Sequence, residues 1–379
     1  MITLIKNARV FCPDPLGFKD ILIANGRIVA LDNEIDVRCA GLNVVDAAGK
    51  IVLPGFIDQH IHVAGAGGKD GFASLTPEIA LKDLIACGTT TTVGLLGTDG
   101  TIRTIQGLYG KVMALRQEGL SCYMFSGYYG VDTLTITDSI QGDMTFIEPV
   151  LGIKIAISDI RSSYPTALEL VRKLRAVRTG GLLAQKKGIM HIHLGNMPSK
   201  MDVLFELVHD YGFPIQHISP THVGRTQALF DQAIAFAKLG GIIDITTGAS
   251  KYTDPYRSVL YALDQGVDIN NMTFSSDGHA GLSKLNADGV SIGTRPAPFD
   301  QNYAQAVRLV QQGGVPIETA FRLITTGPAS NLGLPNKGKI AVGADADLCW
   351  LDDNLMLTDV FAKGQHFMKD GQFTDPFDH

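Results

Sequence analysis

Eight apolar or β-branched runs, at 51–63, 89–96, 120–129, 150–158, 189–194, 215–222, 241–247 and 272–277, follow one another along the chain. Between most of them lie segments whose apolar residues recur with helical period, such as "SKMDVLFELVHDYG", "TQALFDQAIAFAKLGG" and "YAQAVRLVQQGG". In "TPEIALKDLIACG" the pattern predicts Thr76 as N-cap, Pro77 at the first helical position and Gly88 as terminator. Eight strands alternating with helices match an α/β chain closed as a (β/α)8 TIM-type barrel. A doubly wound open sheet is the alternative, but no GxGxxG follows the first run.

The two ends have a different texture. Short alternating runs fill the first fifty residues, with a hairpin signal at Asn25-Gly26, and the tail from Gly343 onward reads the same way. Two β-rich ends flanking a different middle predict that the ends meet. The division is then 1–53 and 340–379 as a small β-sandwich domain, and 54–339 as the barrel. Residues 131–149 and 279–301 fit neither pattern and are expected as long loops over the barrel mouth.

Composition narrows the function classes. The net charge of −6 is spread without long runs of one sign, which argues against a nucleic-acid surface or a polybasic membrane patch. The start, "MITLIKNARVF", alternates and lacks the continuous apolar core of a signal peptide, and no run reaches the length of a membrane span. Five scattered cysteines without a CxxC pair predict reduced thiols and a cytoplasmic setting.

The chemistry gathers at the C-terminal ends of the runs, where barrel enzymes place their catalytic groups. The first ends in "DQHIHV", and alternation points His60 and His62 the same way. Taken alone, the pair fits two core histidines as well as half of a metal site. The fourth carries Lys154 in "LGIKIAIS". A buried lysine is costly as a cation, so it either faces outward or is a neutral amine able to react with CO2. The fifth ends "MHIHLG" with His191 and His193, the sixth "SPTHVGR" with His222, and the eighth "TFSSDGHA" with Asp277. Any one of these has a structural explanation; the set, at one end of different strands, points to metal.

Order and context resemble the amidohydrolase superfamily, and more specifically the isoaspartyl (β-aspartyl) dipeptidases. The resemblance runs over essentially the whole chain, through "PGFIDQHIH", "GLLGTDG", "GIKIAISDIRSS", "HIHLGN", "PTHVGR", "IDITTG", "SSDG" and "GADADL". It implies two Zn2+ ions, one held by His60, His62 and Asp277 and the other by His193 and His222, bridged by a CO2-derived carbamate on Lys154 and by a hydroxide. It further implies amide hydrolysis with Asp277 as general base and acid, and Tyr129 donating to the oxyanion. Arg161 and Arg225 are then anchors for substrate carboxylates, and Gly67 and Thr98 substrate contacts. His193, immediately before "LG", is the ligand; His191 is expected beside it as a packed or supporting histidine, and His279 as facing the pocket. A small-molecule substrate and a homo-oligomer complete the expectation.

Two positions depart from that family. Its glycine-rich loop carries a glutamate for the substrate's α-amino group where this chain has Lys69, and a serine where this chain has Gly281. A cation opposes an ammonium, so the substrate is expected to lack a free amine or to carry an extra carboxylate there, unless Asp70 takes the glutamate's place. A ring-opening amidohydrolase of the hydantoinase or dihydroorotase kind, and a non-catalytic protein on the same fold, are the competing readings.

Overall fold

The structure, a computed structural model, describes residues 2–249 and 251–374. Eight parallel strands pair in chain order: β1 (Phe56–Ile61), β2 (Thr89–Gly94), β3 (Ser121–Gly127), β4 (Val150–Ile157), β5 (Ile189–Leu194), β6 (Ile218–Thr221), β7 (Ile243–Thr246) and β8 (Met272–Ser275). The cylinder closes just past β8. The Asp277 N–H donates to the His60 carbonyl at 3.0 Å, and the His62 N–H to the Gly278 carbonyl at 2.9 Å. Residues expected to bind metal thus also form the seam of the barrel.

Both faces of every strand are buried, which is why the runs read as nearly continuous apolar stretches. Outward residues such as Ile153, Ile155, Met190, Ile192, Ile243, Met272 and Phe274 pack under the helices. Inward, Ile57, Val93, Phe125, Leu151 and Ile189 meet Ala329 and Leu332 of the helix Thr326–Leu332, which plugs the N-terminal end. The rest of the interior is polar, with Gln59, Ser219, Thr221, Asp244, Thr273 and Ser275 all fully buried. Asp244 accepts from Gln59, Thr221, Thr273 and Ser275, so four hydroxyl or amide groups satisfy one buried carboxylate.

The chain ends join in one nine-stranded sheet. Its junction is the strand Ile51–Pro54, antiparallel to Leu348–Leu351 and parallel to Ile2–Phe11. The sheet encloses a separate core with Trp350 and Phe361 at its centre. Asn25 and Gly26 form the hairpin turn with φ of 51° and 74°. Residues 375–379 of the tail expectation lie outside the described residues.

Three local expectations are corrected. The first barrel helix is Leu81–Ala86, and Thr76 does not cap it. The Thr76 hydroxyl instead accepts from the Ala66 N–H at 2.7 Å and donates to the His279 carbonyl at 2.6 Å, pinning the glycine loop to the segment after β8. The 131–149 stretch contains a helix, Ile140–Phe146, capped by Ser139. Residues 279–301 contain a hairpin, Gly281–Leu285 with Ser291–Pro296. Both local elements satisfy backbone groups that a bare loop would leave to water.

Candidate metal centre

His60 lies within β1 beside an irregularity: pairing with β2 shifts register between Asp58 and Ile61. A bulge of this kind re-aims side chains. The Asp58 carboxylate holds it in place, accepting the backbone N–H groups of His60 and Ser276, each at 3.2 Å, and the Ser276 hydroxyl. Burial pushes the Asp58 carboxyl up to about 7. His222 follows β6 with φ 63°, and Asp277 follows β8 with φ 54°. Both take the left-handed turn that swings the side chain from strand end to barrel axis, a strained conformation concentrated at functional sites.

His60 Nε2 and His62 Nε2 stand 3.3 and 3.2 Å from Asp277 Oδ1. Ligand atoms at about 2.0–2.1 Å from a tetrahedral ion stand roughly 3.3–3.4 Å from one another, so this spacing fits three donors of one cation. Among the described residues, these three form the group with metal-ligand spacing. Lys154 Nζ lies 3.2 Å from His60 Nε2, on the side of β4 that faces inward. The rings of His60 and His222 are 4.8 Å apart and those of His193 and His222 4.5 Å apart, so the second pair converges on the same centre.

Protonation suits ligation. Burial lowers the His60 imidazole to about 3, helped by the Lys154 charge. It lowers His191, His193 and His222 well below the ordinary histidine value, so all are neutral at pH 7. Burial also lowers Lys154 to about 7, giving a substantial fraction of free amine. Burial works against ionisation of Asp277, yet the surrounding imidazoles hold its carboxyl well below the usual range. A neutral-imidazole, carboxylate and amine set of this kind fits divalent zinc-like ions.

Hydrogen-bond partners fix the orientation of His193 and His222, whereas His62 Nδ1 is buried without one. His222 Nδ1 lies 2.6 Å from Thr246 Oγ1, leaving Nε2 for the centre. His193 Nε2 lies 3.0 Å from Asp159 Oδ2, and its Nδ1 2.8 Å from the Tyr129 hydroxyl. Asp159 was missed by sequence reasoning. Its signal was present, an aspartate two residues past β4 between Lys154 and Arg161. Burial raises the Asp159 carboxyl, but Arg161 and His193 outweigh it and hold it low.

A cleft of about 260 Å3 opens above the centre. Its lining includes His62, Tyr129, His193 and Asp277, and also Gly67, Lys69, Thr98, Arg161, Arg225 and Gly281. All the sequence-predicted substrate residues therefore meet at one mouth. Their states differ. Arg161 forks onto Asp159, with Nε to Oδ1 at 2.9 Å and Nη2 to Oδ2 at 2.6 Å, and rests on the Tyr129 ring. Arg225 makes no ion pair among the described residues, and its buried Nε has no hydrogen-bond partner. Lys69 Nζ donates to Ser283 Oγ of the hairpin at 2.7 Å. Asp70 does not line the cleft; it accepts weakly from Thr294 at 3.4 Å. His279 turns away too, with Nδ1 2.8 Å from the Pro77 carbonyl, which corrects the expectation that it faces the pocket. A Cβ on Gly281 would meet Gly67 Cα at 3.0 Å, so a serine here would press the hairpin off the glycine loop.

Residues 51–372 match the Amidohydrolase family. A β-aspartyl dipeptidase from the thermophilic keratin degrader Fervidobacterium islandicum AW-1, solved with β-Asp-Leu dipeptide, superposes with a TM-score of 0.91, 38% identity and 99% coverage of both chains. A dihydropyrimidinase from Brevibacillus agri NCHU1002 has a TM-score of 0.70 at 16% identity over 98% of this chain and 96% of its own, a likeness of fold alone. In sequence, a dihydroorotase of Lactobacillus johnsonii is 26% identical over 93% of this chain and 89% of its own length. No helix among the described residues is long and apolar enough to cross a membrane.

Proposed function

The chain belongs to the amidohydrolase family and is a hydrolase of carbon–nitrogen bonds; we propose that its reaction is metal-dependent cleavage of a β-aspartyl-type amide by a dipeptidase-like mechanism. The observation that carries this reading is Arg225, which makes no ion pair among the described residues and lines the same cleft as His62, His193 and Asp277. A free guanidinium beside a hydrolytic centre fits the carboxylate of a small peptide.

His60, His62 and Asp277 would hold one ion, His193 and His222 the other, with Lys154 between them as its carbamate. That carbamate forms when the neutral amine attacks CO2 and loses one proton. Bound divalent cations supply Lewis acidity, which makes water nucleophilic near neutral pH and polarises the scissile carbonyl. Asp277, ionised and in contact with His60 and His62, takes the proton of the attacking water and delivers it to the leaving amine. Burial raises the Tyr129 hydroxyl well above its ordinary value, so it stays protonated and donates to the developing oxyanion. Asp159 holds His193 in the tautomer that leaves Nδ1 free of a proton.

With Arg161 offset by Asp159, Lys69 and Arg225 remain as cations of the cleft without an acidic partner, and the Asp277 carboxylate beside them is engaged by His60 and His62. The preferred substrate therefore carries more than one anionic group and no ammonium near Lys69. The ring-opening reading keeps support from the dihydroorotase relatives. A zinc-loaded enzyme assayed against β-aspartyl dipeptides, their N-acylated forms and a set of cyclic amides separates the two. Turnover of cyclic amides alone would refute the dipeptidase reading. The proposal includes a cytoplasmic homo-oligomer, which light scattering on the purified chain tests.

A further inference from the structure

Beneath the metal centre runs a line of buried polar side chains that the reaction above does not use. His191 is fully buried on β5, and its ring stacks on Phe125 with centroids 5.0 Å apart and planes 19° from parallel. Its Nε2 lies 2.8 Å from His60 Nδ1, and its Nδ1 lies 3.0 Å from Ser219 Oγ. Ser219 Oγ also accepts from Asn331 Nδ2 at 2.9 Å, and the same amide donates to Gln59 Oε1 at 2.9 Å. Asn331 belongs to the helix that plugs the barrel floor. The line thus joins one metal-facing imidazole to the far end of the barrel.

Two neutral rings in contact share one hydrogen bond, so only two arrangements exist. In one, His191 donates to His60 Nδ1, and the His60 proton sits on Nε2, where it blocks coordination. In the other, His60 Nδ1–H donates to His191 Nε2, and His191 Nδ1–H donates to Ser219. Only the second turns a lone pair toward His62 and Asp277.

We infer that His191 is a positioning residue for one ion of the pair: it accepts the Nδ1 proton of His60 and so presents the Nε2 lone pair beside His62 and Asp277. The inference rests on the metal-centre reading. The second site, built from His193 and His222, is oriented separately by Asp159 and Thr246 and does not depend on His191.

The test strips the full-length protein with chelator, reloads it with Zn2+ or Co2+, and measures stepwise affinity by competition with a chromophoric chelator. His191→Phe keeps a ring against Phe125 but removes the acceptor. It is expected to weaken one of two sites by about 10–100-fold and leave the other within about twofold, as loss of a ligand's outer hydrogen-bond partner does. The visible Co2+ absorption of one site is lost at limiting metal. His191→Gln places an amide oxygen within reach of His60 Nδ1 and restores the weakened site. Unchanged affinity at both sites in His191→Phe overturns the inference. So does equal loss at both, with a lowered melting temperature of the metal-free protein and no rescue by Gln, since that is the mark of packing alone. A wild-type chain that takes up two ions beside an unaffected variant overturns this inference only; a wild-type chain that takes up none overturns the metal-centre reading with it.

Discussion

Charge reversal at Lys69 gives the sharpest test of substrate choice. Lys69 is exposed, its ammonium tethered to Ser283, and it lines the cleft together with Gly67 and Gly281. A β-aspartyl dipeptide carries an ammonium on its α-carbon. Two like charges about 4 Å apart repel by about 1 kcal/mol in water and about 4 kcal/mol at an effective dielectric of 20. Exposure and salt screening place Lys69 at the low end, about 1 kcal/mol. Lys69→Ala then raises kcat/KM for β-Asp-Leu about fivefold, and Lys69→Glu, which turns repulsion into attraction of similar size, by about 30-fold. The N-acetylated dipeptide has no ammonium and gains nothing, whereas an N-acyl group bearing a carboxylate loses rate in Lys69→Glu. The preference, measured as a ratio of kcat/KM values at low salt, shrinks at high ionic strength. A ratio unmoved within about twofold by Lys69→Glu would refute the electrostatic reasoning, being smaller than the low-end repulsion alone gives. So would a large loss of dipeptide turnover in Asp70→Ala with Lys69→Ala silent, which would give the amine to Asp70 despite its position outside the cleft lining.

Other expectations follow from particular contacts. Asp159→Asn removes the charge that orders both His193 and Arg161, and should lower metal affinity at one site by about 10–100-fold, read by chelator competition. Lys337, almost wholly buried, pairs with Asp345 and Asp347 and donates to Ser121 where the small sheet meets the barrel. Lys337→Met leaves the buried Asp347 without its cation, while Asp345 keeps the more exposed Arg27, and should cost about 3 kcal/mol in urea denaturation. Burial pushes the Asp359 carboxyl up, but hydrogen bonds from His366 and Lys50 outweigh it and keep it below its ordinary value. Because the folded value is the lower one, its stabilisation is present above the unfolded carboxylate range and vanishes as pH falls through the folded value. Asp359→Asn should therefore cost about 2 kcal/mol at pH 7 and progressively less in acid, read from melting temperatures at both ends.

What the sequence reveals depends on how locally each feature is determined. Strand alternation is a property of consecutive residues, so the inward direction of His191 and His193, and their place at a strand end, are legible without coordinates. The barrel is legible for the same reason, since eight runs buried on both faces leave eight apolar signatures. Closure is not. It rests on two backbone bonds between residues over 200 positions apart, His62 to Gly278 and Asp277 to His60, which no local pattern encodes. Thr76 misleads because a hydroxyl before a helical segment serves equally as a cap or as a tie between loops, and here the loop's need for its hydrogen bonds prevails.

The same distinction explains why the arginines needed a structure. Arg161 and Arg225 follow the strands that carry Lys154 and lead into His222 at similar distances, and their sequence contexts assign them one role. In space Arg161 is already bidentate to Asp159, while Arg225, which also lines the cleft, makes no ion pair among the described residues and has a buried Nε without a hydrogen-bond partner. A guanidinium already neutralised by an internal carboxylate binds a second carboxylate more weakly, because its charge and its fork are partly satisfied. Under the proposed function, substrate anchoring is therefore expected to fall first on Arg225, with Arg161 acting chiefly by holding Asp159 against His193. Arg225→Lys should then raise KM far more than it lowers kcat, since a point charge replaces a fork in the binding step. Arg161→Lys should lower metal affinity as well, by loosening the carboxylate that orients His193. Equal KM effects from the two substitutions, with metal binding untouched in both, would return Arg161 to the role its sequence position suggested.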